Sequence, residues 1–193
     1  QLTMPGWQTK HSDAFSIAGD KDTAKIAAMQ ITANNAVARR DHNTVAVTVR
    51  DVHQNLLQGQ NVTFTVVNGA AVFADPNGGI VTTDKDGIAS VNLASDQAVN
   101  SLIKAEINGS SQSVEVSFIT GDISQLTSTI KTDDVSYTAG GKIKVSVTLM
   151  DEQKNLVKGM ASLLAGSGVV EVSGTDKNEM GNWSEESDGV YTT

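Results

Sequence analysis

The chain has 193 residues, enough for one or two domains. Hydrophobic residues make up 39% and aromatics 4%, with 17 Gly and only 2 Pro, which suits folded, turn-rich β structure and not a disordered chain. The formal net charge of -8, the absence of cysteine and the lack of a long apolar run exclude a basic nucleic-acid face, a disulfide framework and a membrane-spanning helix, so neither nucleic acid nor membrane insertion by this segment is expected.

The predicted elements follow in chain order. The start at Gln1 carries no charged region followed by an apolar core, so no signal peptide is read there, and the chain is expected to be a segment of a longer protein. Thr23 to Met29 is the only helix-like stretch, and a strand is expected from Ala28 to Thr32. Val45, Val47 and Val49 then alternate with Ala46 and Thr48, and Val62, Phe64 and Val66 alternate with Thr63 and Thr65. The same period recurs at Ala89-Val91-Leu93, Ile103-Ala105-Ile107 and Val114-Val116-Phe118. Alternation of this kind places one face of each strand in a core and the other in water. Turn residues separate the runs at Asp51 to Asn55, Asp75 to Gly79 and Asp84 to Gly87. Asn68-Gly69 and Asn108-Gly109 are read as hairpin turns, because both residue types tolerate positive φ. About seven strands result, as in an immunoglobulin-like sandwich.

The chain then repeats itself. Val45 to Asp51 followed by Asn55-Leu56-Leu57-Gln58-Gly59 returns as Val145 to Asp151 followed by Asn155-Leu156-Val157-Lys158-Gly159. Ile17-Ala18-Gly19-Asp20 returns as Ile119-Thr120-Gly121-Asp122. A period of about 100 residues fits a tandem β-sandwich and not a short solenoid unit. The fold class expected is all-β, with tandem immunoglobulin-like β-sandwiches. Residues 1–20 read as the last strands of a preceding domain, 22–121 as a complete domain, and 123–193 as a domain truncated before its last strands. Strands are expected in the third piece at 126–130, 143–150, 161–164 and 169–172. Because an open sandwich leaves bare edges, residues 1–18 of another molecule are expected to fill the gap in 123–193 by strand exchange. Short junctions at 19–26 and 121–126, with apolar Ile26 and Leu126, are expected to favour stiff stacking.

Chemical motifs are few. His11, His42 and His53 lack neighbours at metal-ligand spacing and read as loop histidines. No Gly-x-Ser-x-Gly elbow occurs, so no enzyme is expected and no catalytic residue is assigned. Gly140-Gly141-Lys142 precedes an alternating run and not a helix, so it reads as a turn. Asp84-Lys85-Asp86-Gly87 resembles the front of a calcium loop without the distal Glu. A β-turn closed by Gly87 is the main reading there, and a weak surface calcium site is the alternative. No cofactor is implied. Acidic residues Asp176, Glu179, Glu185, Glu186 and Asp188 surround Trp183. Trp183 reads either as tucked against the sandwich or, with Glu185, Glu186, Asp75 and Asn77, as part of a candidate contact patch.

Taken together, Val45-x-Val47-x-Val49-x-Asp51-x-x-x-Asn55-x-Leu57-x-Gly59-x-x-Val62-x-Phe64 and Thr82-Thr83-Asp84-x-x-Gly87-x-Ala89-x-Val91-x-Leu93 resemble the bacterial Ig-like domain of group 1. That domain occurs in the intimin and invasin family of Gram-negative adhesins, and the enterobacterial intimin-like members with long arrays fit best. The resemblance implies an extracellular rod on the bacterial surface, anchored in the outer membrane by a β-barrel outside this sequence. It also implies neighbouring Ig-like domains of the same array, and attachment to a host cell-surface or matrix protein or glycan. Family receptor-binding residues lie mostly in tip domains that carry a disulfide; with no cysteine here, none is transferred.

Overall fold

A computed structural model of the chain describes residues 18–138, 140–166, 169–170 and 181–193. The first unit is built from nine strands: β1 (Lys25–Ala33), β2 (Ala36–Val37), β3 (Asn43–Arg50), β4 (Asn61–Asn68), β5 (Ala71–Phe73), β6 (Ile80–Thr82), β7 (Ile88–Ser95), β8 (Asn100–Ile107) and β9 (Ser110–Ile119). They form a four-stranded sheet in the order β1-β3-β7-β5 and a five-stranded sheet in the order β2-β9-β8-β4-β6. All pairings are antiparallel except β2 with β9. The inward residues of the alternating runs meet between the sheets, with Val45, Val47, Val49, Val62, Phe64, Leu93, Ile103 and Val116 buried in one core. This is the sandwich that period-two patterning calls for.

The second unit repeats the first sheet. Its elements are β10 (Thr129–Thr132), β11 (Val145–Thr148), a one-turn helix α1 (Ala161–Leu164), β12 (Ser184–Ser187) and β13 (Val190–Thr192), with strand order β10-β11-β13-β12. The register carries over from one unit to the other: Val47 opposes Ala89 and Thr48 opposes Ile88, while Val147 opposes Tyr191 and Thr148 opposes Val190. The turns carry over too. The Val49 N–H donates to the Gly87 carbonyl at 2.8 Å and the Leu149 N–H to the Gly189 carbonyl at 2.9 Å. Gly87 and Gly189 have φ of 68° and 66°, and a Cβ on either would press within 3.3 Å of the adjoining backbone, so glycine is required at both. A small core of Val147, Leu149, Val157, Leu164, Trp183 and Tyr191 covers this sheet.

Several expectations are corrected. The helix-like stretch at 23–29 is a 3-10 turn at Lys21–Thr23 followed directly by β1. Pairing with β3 and burial of Ile26 override the helix propensity of its Ala and Met residues. Asn108-Gly109 is a hairpin turn between β8 and β9, with φ of 45° and 76°. Asn68-Gly69, in contrast, carries the chain from one sheet to the other, since β4 pairs with β6 and β8 while β5 pairs with β7. The strand expected at 161–164 is α1. Its counterpart β4 is held by β8, and among the described residues no strand stands beside 161–164 in the role of β8. Without a ladder partner, Ala-Ser-Leu-Leu satisfies its backbone locally. At 126–130 the strand begins only at Thr129, and at 143–150 it spans Val145–Thr148. Of the run expected as a strand at 169–172, Val169 and Val170 form a turn and a bend, with Val170 packed against the second core, while residues 171–172 lie outside the described residues, as does the strand exchange by 1–18 apart from Ala18.

Candidate functional site

The most highly organised polar arrangement in the chain is an Asp-x-x-x-Asn box at the head of each unit. β3 ends at Arg50, and Asp51 turns inward where the chain reverses. Its N–H donates to the Asn55 carbonyl at 3.0 Å, closing the loop. The Asp51 carboxylate then gathers four donors: the His53 N–H at 2.9 Å, the Asn55 N–H at 2.8 Å, the Asn55 amide at 2.8 Å and, from the preceding linker, the Asp20 N–H at 3.0 Å. Asp151 and Asn155 rebuild the box after β11. The Asn155 N–H and side-chain amide both reach Asp151 at 2.8 Å, and the Gly121 N–H of the linker donates to it at 2.8 Å. Both carboxylates are fully buried.

A buried carboxylate without a cation must be held ionised by hydrogen bonds. Burial alone pushes the Asp51 pKa up. The Asn55 amide and the Asp20, Asn55 and His53 N–H groups outweigh it and hold the pKa at about 2. In Asp151 the same contest, burial against the Gly121 N–H and the Asn155 donors, also ends below the usual carboxylate value. The folded pKa is depressed, so the stabilisation is present above the ordinary value of 3.8 and is lost as pH falls toward about 2. Acid melts followed by circular dichroism should therefore show a steep loss of stability below pH 3.8. An Asp51→Asn variant should be less stable at neutral pH and show a shallower acid dependence. Equal slopes for variant and parent would show that the box contributes nothing to acid sensitivity.

The second box also reaches across to the first unit. The Asn155 amide donates to the Ala38 carbonyl at 3.0 Å, and the Arg39 guanidinium donates to the Gln153 carbonyl at 3.3 Å. Ala38 is fixed from behind by its N–H on the Ile119 carbonyl, and Arg39 by its N–H on the Ser95 carbonyl. A two-residue strand, β2, thus presents its end loop to the next unit. Leu126, expected to stiffen this junction by packing, is 96% exposed, so it does not pack across the joint. Ile26 is buried, but inside the first core.

The residues of the candidate contact patch do not come together. Asp75 and Asn77 lie in the β5–β6 loop of the first unit, where the Asp75 carboxylate accepts the Asn92 N–H. Glu185 and Glu186 lie on β12 of the second unit. Glu185 accepts the Gly189 N–H at 2.9 Å and the Gly159 N–H at 3.0 Å, while Glu186 accepts Lys144 Nζ at 2.8 Å and the Thr192 hydroxyl at 3.0 Å. Trp183 is buried in the second core, which removes it as an exposed contact residue and leaves the reading in which it tucks against the sheet. Asp176 and Glu179 lie outside the described residues, as does His11. His53 is exposed in a turn and His42 is exposed in the loop ahead of β3. Asp84 to Gly87 is a β-turn, with the Gly87 N–H on the Asp84 carbonyl and the Asp86 and Ile88 N–H groups on the Asp84 carboxylate. Among the described residues, no group of three or more His, Asp or Glu side chains could hold a metal ion, and no helix is long and apolar enough to cross a membrane.

Reading the sequence missed the joint residues Asp51, Asn55, Asp151, Asn155 and Ala38, taking 51–55 as a plain turn. The signal was present: Asp and Asn recur four apart at the same place in both halves of the repeat, where an ordinary turn tolerates Gly, Ser or Asn interchangeably.

The group 1 bacterial Ig-like domain model matches residues 26–119. The chain is 32% identical over 153 residues to the inverse autotransporter adhesin YeeJ of Escherichia coli strain K12, a match covering 77% of this chain and 6% of that protein's length. Among solved structures, it is similar to the Escherichia coli adhesin FdeC, with 21% identity, 91% of this chain and 55% of that chain covered, and a TM-score of 0.49. It is also similar to invasin, described as a bacterial integrin-binding protein, with 26% identity, 86% and 32% covered, and a TM-score of 0.47. With the sandwich at residues 25–119 and the domain match in hand, residues 26–119 are a group 1 bacterial Ig-like domain.

Proposed function

We propose that this chain is a rod segment of a bacterial surface adhesin, holding a binding region away from the cell. The observation that carries this reading is the joint: the head of one unit is bound to the tail of the unit before it by buried and half-buried hydrogen bonds, and the same box is built again at the head of the first unit. Relationship to an inverse autotransporter adhesin supports the surface setting, with the outer-membrane anchor in a part of the protein outside this sequence. Within the proposal, residues 22–121 are a whole Ig-like domain, 123–193 the front of the next and 1–20 the tail of the one before. The role is mechanical and non-catalytic, and the partner of the whole protein is a host surface protein or glycan.

A second reading assigns host binding to the units themselves, through the 75–79 loop, which is exposed at Pro76 to Gly78. The two separate in one experiment. The purified chain is added to epithelial monolayers and to matrix-coated plates, alongside bacteria displaying the full-length protein. The rod reading expects adhesion by the bacteria and none by the chain. Saturable binding of the chain, abolished by Asp75→Ala with Asn77→Ala, would overturn it in favour of the second.

A further inference from the structure

We propose that the Asp-x-x-x-Asn box is a socket that recognises the main chain of the preceding unit, so that the joint accepts any group 1 Ig-like unit whose linker and end loop follow the same path. This rests on the rod reading for its purpose but not for its geometry.

Three hydrogen bonds that cross the joints come from box side chains acting on main-chain atoms of the partner segment. Asp51 takes the Asp20 N–H, Asp151 takes the Gly121 N–H, and Asn155 gives its amide to the Ala38 carbonyl. In a fourth contact, the Arg39 side chain of the preceding unit meets the main-chain carbonyl of Gln153. None of these four pairs one side chain with another; the side-chain pair at the first joint, the Thr23 hydroxyl on the Asp20 carboxylate at 3.0 Å, lies within the linker and does not involve the box. The two boxes even take N–H groups one step apart in the repeat: Asp20 follows Gly19, the counterpart of Gly121. A socket tuned to side chains would not tolerate such a slip; one tuned to an N–H does.

The occupant is identified by the second head. There the end loop at Val37-Ala38-Arg39 of a group 1 unit is seated on the box. The Val37 side chain lies by Gly121, where an added Cβ would meet its Cγ1 at 3.6 Å. At the first head, Ala18, Gly19 and Lys21 line one side of an open cleft, and Leu56 to Gly59 line the other. Leu56 and Val52 are exposed beside it, and the Asn55 amide meets Asp51 as the Asn155 amide meets Asp151. The box beside this cleft is the same socket, and in the proposal it receives the end loop of the preceding unit through Asn55, as Asn155 receives Ala38.

The test uses the full chain. It contains no cysteine, so Ser90→Cys on the first unit and Lys131→Cys on the second, both exposed, take nitroxide labels without side reactions. Double electron–electron resonance then reads the distance between the units. The labelled parent should give one narrow distance peak. Asn155→Ala should lose that peak to a broad distribution. So should Gly121→Pro, which deletes the donated N–H without altering any residue of the second unit's core. Val37→Ala with Arg39→Ala should keep it, since only side chains of the end loop are removed. Asn55→Ala, which damages the same loop in the other unit, should keep it too. Near-ultraviolet circular dichroism reports whether each variant retains its packed aromatic core. A narrow peak retained in both Asn155→Ala and Gly121→Pro overturns the proposal. A peak lost on removing the end-loop side chains overturns it as well, in favour of side-chain recognition. Either result leaves the outcome of the cell-binding experiment unaffected.

Discussion

Tyr191→Ala is expected to unfold most of the second unit while leaving the first folded. Tyr191 is the largest fully buried side chain among the described residues. It sits on β13 opposite Val147, with Trp183, Leu149, Val157 and Leu164 around it. Emptying such a site costs about 3–5 kcal/mol, from lost burial and the cavity left behind. The core it leaves has few members, and small units draw only a few kcal/mol of net stability from one core. The hydroxyl adds a second effect. It donates to the Val157 carbonyl at 2.7 Å and accepts the Met160 N–H at 3.0 Å, tying the strand to the segment that leads into α1. Burial and nearby Glu185 raise its pKa and outweigh the Met160 N–H, which lowers it, so it stays protonated as a donor. Tyr191→Phe should therefore cost about 1–3 kcal/mol, because two buried backbone groups lose their partner. Amide hydrogen exchange, resolved by residue, checks both: protection should fall across β10 to β13 and persist from β1 to β9. Unchanged protection in Tyr191→Ala would show that the second unit does not depend on this core.

Phe64→Ala should have the opposite footprint. Phe64 is 2% exposed at the centre of the first sandwich, on β4 facing the sheet that holds Val45, Val47 and Leu93. The loss is again about 3–5 kcal/mol. The first core is several times larger, so the unit should stay folded in buffer and lose about 15 °C or more of melting temperature. Scanning calorimetry with the exchange map assigns the shifted transition. A shift confined to the second unit would contradict the placement of Phe64.

Phe64 and Leu164 occupy the same place in the repeat, and they show how far a sequence can be read. The alternation around Phe64 announced a strand, and a strand forms, because β8 stands beside it to complete the ladder. Leu164 is buried in its own core, as an inward residue should be, yet it is carried there by α1. Local pattern states which side chains are buried; a neighbouring strand is needed before burial implies extended backbone. Asn68-Gly69 and Asn108-Gly109 make the same point for turns. Both supply positive φ, but only the second joins strands that pair with each other. Where the chain goes after Gly69 is decided by β7, some twenty residues further on, which pairs with β5. Trp183 was ambiguous for a related reason: an aromatic among acids reads equally as a hot spot or as a lid, and only the position of Tyr191 and Val157 settles it.

What the sequence determined by itself was the all-β class, the tandem repeat, the core faces of β3, β4, β7, β8 and β9, and the recurrence of Asp and Asn four apart. These are written in short-range periodicity, since burying one face of a strand constrains every second residue. The tertiary structure alone decided that the recurring Asp and Asn form a joint. The amide that closes it spans 117 residues from Asn155 to Ala38, and its acceptor is a backbone carbonyl. Every residue carries such a carbonyl, so no side-chain pattern could mark that one. It becomes specific only when β2, pinned to Ile119 and Ser95, holds it against the head of the next unit.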